Sequence, residues 1–265
     1  MELFVCPLKW FNVGIMKSLE KDACMPVYQP RSLEHPINSG RISVALEDGR
    51  RLPAYWSHPD ASGKFPAVAV IHDWWGITTV ERWIAHLFAQ MGYYVIIPDL
   101  FNGRVATTPQ EAIQLVEETG PYNYTFVDTA LRTLENHVRV NGKVAAVGLG
   151  MGGTLAFEAA LTRDDLEAAV ALYGFPQKYL GKFQAAYAPI LAIFGATDPY
   201  VGAGVIAQLR RELLQSERPH ELITLEGAGH GFFSTEDNSG NSASAQAWAK
   251  INAFLERHVK FVGVE

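Results

Sequence analysis

Chemistry in this chain gathers at strand ends, and the residue types there suit the parts of a hydrolytic apparatus. Val144–Val147 reads as a buried strand running into Gly148-Leu149-Gly150-Met151-Gly152-Gly153 and then a helical pattern. Strand, tight glycine turn and helix is the setting of an elbow that presents a nucleophile. Small residues stand two before and two after it, because larger ones would collide with the neighbouring strand and helix. The nucleophile's place in this pattern is Gly150, which has no side chain to offer. Ile190–Phe194 ends in Gly195-Ala196-Thr197-Asp198-Pro199, which sets a carboxylate just after a strand. Glu221–Leu225 is followed by Gly227-Ala228-Gly229-His230-Gly231-Phe232, a histidine on a glycine-rich loop. Asp198 would orient His230 and stabilise its charged form, and His230 would act as general base. Next to Ala67–Ile71 lies His72-Asp73-Trp74-Trp75-Gly76. The backbone N–H of Trp74 from this loop, with that of Met151 on the elbow, would form an oxyanion hole. Asp73, Trp75 and Ser234 are expected to line the pocket, and His72 reads as structural.

Two other readings of these residues carry less weight. Gly148, Gly150 and Gly153 also match the G-x-G-x-x-G spacing of a dinucleotide loop. The match falls on a middle strand, however, and no acidic residue ends Ala168–Leu172 to hold a ribose hydroxyl. A metal site built from His72, Asp73 and His230 has no supporting ligand spacing, so none is expected.

The elements that must hold these residues are legible from periodicity. Arg41–Leu46 and Leu52–Ser57 alternate around Asp48-Gly49, as a β-hairpin does. Ala67–Ile71, Tyr93–Ile97, Val144–Val147, Ala168–Leu172, Ile190–Phe194 and Glu221–Leu225 are short apolar runs without alternation, suited to strands buried on both faces. Helical patterns at Val80–Met91, Tyr124–Val138, Thr154–Leu161, Val205–Gln215 and Ala243–His258 separate most of them, with a further helical region at 109–118. Alternation of this kind predicts a doubly wound parallel sheet, with ligands bound beyond the carboxyl ends of its strands.

Composition narrows the function. At 265 residues, 48% hydrophobic and 19% charged, the chain can build one large α/β core. Its formal charge of −6 argues against nucleic acid as a partner, since phosphate neutralisation needs a basic face. No apolar run is long enough to cross a membrane. Residues 1–40 lack periodicity and carry Pro7, Pro26, Pro30 and Pro36, so they read as an N-terminal extension to a domain spanning 41–265. Glu2 and the early polar residues argue against a signal peptide. Cys6 and Cys24, the two cysteines, admit a disulfide but read better as free thiols in a reducing compartment, outside any nucleophile motif.

Taken together, Asp73-Trp74-Trp75-Gly76, Pro98-Asp99-Leu100-Phe101, Gly148–Gly153, Tyr173-Gly174, Gly195–Asp198 and His230-Gly231-Phe232 resemble the dienelactone hydrolase (carboxymethylenebutenolidase) family over about residues 41–260. The resemblance implies an α/β-hydrolase fold, with a mainly parallel sheet of about eight strands flanked by helices. It also implies a small cytosolic enzyme without a cofactor that opens lactones or esters through a Cys-Asp-His triad. Three positions depart from the family's pattern. Gly150 stands where the nucleophilic cysteine is expected, Asp73 replaces a longer Glu, and Ser234 replaces an arginine that clamps a substrate carboxylate. Two functions follow as expectations. One is weak hydrolysis of a small ester or lactone by a His230-activated water; the other is a catalytically inactive protein that binds a small molecule or partner.

Overall fold

The computed structural model describes residues 35–46, 48–120, 123–233 and 242–260. Cys6, Cys24 and Ser234 lie outside these residues. Eight strands form one sheet: β1 (Ile37–Ala45), β2 (Arg51–Pro59), β3 (Phe65–Ile71), β4 (Tyr94–Pro98), β5 (Val140–Leu149), β6 (Ala168–Leu172), β7 (Ile190–Gly195) and β8 (Glu221–Leu225). Their order is β1-β2-β4-β3-β5-β6-β7-β8. The β1–β2 and β2–β4 pairs are antiparallel, and every pairing from β4 through β3 to β8 is parallel.

Apolar residues without alternation form this sheet because both of its faces are covered. Along β3, Ala67, Ala69 and Ile71 face one core while Val68 and Val70 face the other. Helices α2 (Pro109–Thr119), α3 (Asn123–Glu135), α4 (Met151–Thr162) and α5 (Ala203–Leu214) pack into the first core. Helices α1 (Thr79–Gln90) and α6 (Ala243–Leu255) pack into the second. The result is a three-layer sandwich. Helix α1 starts on a capping box, in which Thr78 accepts from the helix backbone and Glu81 returns a bond to the Thr78 N–H.

Several boundaries differ from the pattern-based expectation, among them the start of β5 at Val140 in place of Val144, and two have a clear physical reason. Strand β1 begins at Ile37, inside the segment read as extension, because an edge strand with one open face needs no apolar run. Helix α4 begins at Met151, three residues before the predicted Thr154, since it springs directly from the elbow. Its glycines are packing requirements, not helix breakers. A Cβ on Gly152 would stand 2.1 Å from the Ile71 carbonyl oxygen, and one on Gly148 would stand 2.0 Å from the Gly152 oxygen. Strand and helix meet here at backbone distance.

Candidate active site

The loops after β3, β5, β7 and β8 converge at the carboxyl edge of the sheet, where they enclose a cavity of about 450 Å³. Its walls include Asp73, Trp74, Met151, Phe175, Tyr200 and His230. The Nδ1 of His230 lies 2.8 Å from Asp198 Oδ2. The other oxygen, Asp198 Oδ1, accepts the N–H groups of Tyr200 at 2.8 Å and Val201 at 3.1 Å. With the Asp198 side chain wholly buried and held at both oxygens, the imidazole is oriented by a fixed partner. Its ring also sits among Tyr173, Phe175 and Tyr200, with centroids 5.2, 5.3 and 5.0 Å away.

Gly150 caps helix α4 with φ 51° and ψ −111°. That left-handed backbone is cheap only for glycine. Its N–H donates to the Leu172 carbonyl at 2.9 Å, and its own carbonyl accepts from the Thr154 N–H at 3.1 Å. The Thr154 hydroxyl in turn accepts the Phe175 N–H at 2.9 Å, which ties the elbow to the aromatic wall of the pocket.

Asp73 holds a position that residue type and spacing did not reveal. Its Oδ1 accepts the Trp74 N–H at 2.7 Å and the Met151 N–H at 3.0 Å. These are the two donors expected to form the oxyanion hole, and a carboxylate oxygen lies between them. A Cβ added to Gly150 would meet Asp73 Oδ1 at 2.1 Å, Cγ at 2.4 Å and Oδ2 at 2.5 Å. The carboxylate therefore fills the volume that a side chain at residue 150 would need. Burial pushes the Asp73 carboxyl above the usual range, opposed by the Met151 and Trp74 N–H groups; nearby Glu81 raises it further and His230 lowers it.

His72 explains why the Asp73 loop stays in place. Its fully buried ring accepts the Leu100 N–H at Nε2, 3.1 Å away, leaving Nδ1–H to donate to the Asp73 carbonyl at 2.7 Å. This supports the structural reading of His72, and it gives the Pro98–Phe101 motif the task of anchoring the loop. Trp75, expected in the pocket, is not among the cavity-lining residues. It packs edge-on against Trp74 at 5.1 Å and against the first core. Phe175 and Tyr200 were not singled out from sequence; their only signal was adjacency to Tyr173-Gly174 and Asp198-Pro199. Among the described residues no cluster of His, Cys, Asp or Glu could hold a metal, and no helix is long and apolar enough to cross a membrane.

An eight-stranded, mainly parallel sheet with these loops at its carboxyl edge defines an α/β-hydrolase fold. The chain belongs to the dienelactone hydrolase family, whose model matches residues 52–259. A Bradyrhizobium protein named "Probable 2-oxo-3-(5-oxofuran-2-ylidene)propanoate lactonase" is 28% identical, the match covering 82% of this chain and 94% of that protein. The carboxymethylenebutenolidase of Rhodococcus opacus is 27% identical over 75% of this chain and 83% of its own. In fold, the chain is similar to a dienelactone hydrolase from Anabaena variabilis, with TM-score 0.63 and 20% identity over 85% of this chain and 99% of that one.

Proposed function

We propose that this protein hydrolyses a small, largely apolar ester or lactone by direct attack of water, without an acyl-enzyme. The observation that carries this reading is the His230–Asp198 pair, bonded at 2.8 Å and opening on a cavity beside a side-chain-free Gly150. His230 takes a proton from water, and Asp198 holds the resulting imidazolium. Trp74 and Met151 N–H groups receive the developing oxyanion once the Asp73 carboxylate has swung aside. Turnover is slow, because loss of the nucleophile from a comparable triad costs about 10⁶ in kcat and leaves roughly 10³–10⁴ over water. The lining offers one cation, Lys178, which faces Glu158 at 3.3 Å, so an uncharged substrate suits the cavity better than a carboxylated dienelactone.

The test is p-nitrophenyl acetate hydrolysis followed from the first milliseconds. A linear onset is expected, with activity abolished in His230→Ala. A burst would show that an acyl-enzyme accumulates and would overturn the reading. A second reading, a binding protein without turnover, is favoured by one observation. Asp73 already satisfies both oxyanion donors, so a bound carbonyl would meet a carboxylate in place of two N–H groups. Saturable ligand binding with no hydrolysis, even in Asp73→Ala, would support it.

A further inference from the structure

The carboxylate that occupies the two oxyanion donors is placed for another reaction. We infer that Asp73 is itself a nucleophile toward saturated carbon, and that the protein hydrolyses primary alkyl halides through an alkyl ester on Asp73. Three observations carry this. Asp73 Oδ1 is held by two backbone N–H groups, at 2.7 and 3.0 Å, while Oδ2 accepts no hydrogen bond from the described residues. The carboxylate lines the cavity together with His230. It also occupies the space of a residue-150 side chain, with Oδ2 only 2.5 Å from where a Cβ would lie. Gly150 and Asp73 are thus a matched pair: the elbow has lost its side chain, and the facing loop has put a carboxylate in its place.

The chemistry follows from where the donors point. Attack on an acyl carbon generates an oxyanion on the substrate, for which neither the Trp74 nor the Met151 N–H is free while Asp73 stays put. Displacement at a saturated carbon generates no such oxyanion. In the first step Oδ2 attacks the carbon, the carbon–halogen bond breaks with its electron pair, and halide leaves, needing no proton. This forms the Asp73 ester, whose carbonyl oxygen, Oδ1, already lies between the Trp74 and Met151 N–H groups. In the second step His230 takes a proton from water, and the hydroxide attacks Asp73 Cγ. The oxyanion that develops on Oδ1 is stabilised in place. Collapse expels the alkoxide, which takes the proton back from His230, and the acid left on Asp73 ionises to solvent. The balance is R–CH2–X plus water giving R–CH2–OH, H⁺ and X⁻. Burial makes the Asp73 carboxylate more basic, and so more nucleophilic in its charged form, while the Met151 and Trp74 N–H groups oppose its neutralisation. The apolar lining suits an alkyl chain.

The experiment uses the full chain with 1-bromobutane. Bromide release is expected from the native protein, falling at least about 100-fold in Asp73→Asn. In a single turnover with enzyme in excess in H2¹⁸O, the label should enter the Asp73 peptide and the butanol should stay unlabelled. His230→Gln should trap the ester, seen as a gain of one butyl group mapped to Asp73. Label in the butanol, bromide release untouched by Asp73→Asn, no bromide release at all, or no adduct in a His230→Gln protein with native circular dichroism would each overturn the inference. Ester hydrolysis separates this from the proposed function: Asp73→Ala should raise it by freeing the oxyanion donors while abolishing bromide release. A fall in ester hydrolysis in Asp73→Ala, with bromide released by the native protein and lost in the variant, would count against the ester reading alone.

Discussion

Placing alanine at Gly150 probes the Gly150–Asp73 match directly. Two costs are expected. The residue sits at φ 51°, ψ −111°, a conformation that strains a non-glycine residue by about 1–3 kcal/mol. The new Cβ would also lie 2.1 Å from Asp73 Oδ1, far inside contact distance, so the carboxylate must leave. Leaving breaks two charge-assisted hydrogen bonds, each worth about 1.5–3 kcal/mol, with part regained as the freed carboxylate rehydrates. Gly150→Ala should therefore destabilise by about 3–5 kcal/mol in total. With Asp73→Ala already in place there is no carboxylate to eject, and only the backbone strain remains. The double variant should be more stable than the summed single costs by about 1.5–3 kcal/mol, within the range of contacting pairs. Urea unfolding of the four proteins measures this. Costs that add within about 0.5 kcal/mol would show that the two positions do not compete for one volume, and the matched-pair reasoning would fail. Activity gives the same answer by another route. Gly150→Cys alone should show no burst with p-nitrophenyl acetate, because the Asp73 carboxylate contests the thiol's space. Gly150→Cys with Asp73→Ala should show one, with at least about a 100-fold gain over the native protein.

Three further outcomes follow from the geometry. Asp198→Asn keeps the Tyr200 and Val201 N–H contacts but turns an amide N–H toward His230 Nδ1, forcing the wrong tautomer; kcat/KM for ester hydrolysis should fall about 10²–10⁴-fold, and an unchanged value would remove His230 from the role of base. Burial, helped by the charge of Arg218, drives His220 from 6.5 down to about 4, and the Ile190 N–H donates to its Nδ1 at 3.0 Å, which requires a neutral ring. Because its folded value is depressed, its contribution is present above pH 6.5 and lost as pH falls from there through about 4, on the order of 2–3 kcal/mol at most; His220→Gln should flatten the dependence of unfolding midpoint on pH in that window, and an unaltered slope would contradict the assignment. Gly148→Ala would drive a Cβ to 2.0 Å from the Gly152 carbonyl oxygen, a rigid backbone neighbour, so a loss of at least about 3 kcal/mol in urea unfolding is expected, and a loss under about 1 kcal/mol would show that the elbow has slack.

Much of the scaffold is legible in the sequence for a definite reason. Strands β6 and β8 fall on the residues their apolar runs mark, and β7 extends its run by one residue. A strand buried on both faces declares itself by composition alone. Strand β1 was read four residues short, since Ile37-Asn38-Ser39-Gly40 lies at an open edge where burial imposes no pattern. The helical pattern of α4 shows only from Thr154 because Gly152 and Gly153 lower helix propensity, whereas the elbow setting places the helix start at Met151; the packing that demands those glycines joins segments far apart in sequence.

The sequence by itself determined which residues stand at the ends of which strands: a side-chain-free Gly150, then Asp198, then His230, each in its loop. Strand ends on one parallel sheet must share an edge, so convergence follows from order along the chain. Only the tertiary structure decided what lies in the space above Gly150. Asp73 sits 77 residues upstream, on the adjacent strand's loop, and residue type and spacing mark it only as a pocket-lining carboxylate. Its carboxylate reaches the Met151 N–H because β3 and β5 pair in parallel with Ile71 opposite Gly148, and because His72 pins its carbonyl. Register and a buried hydrogen bond set that contact, and neither is visible in residue type or spacing.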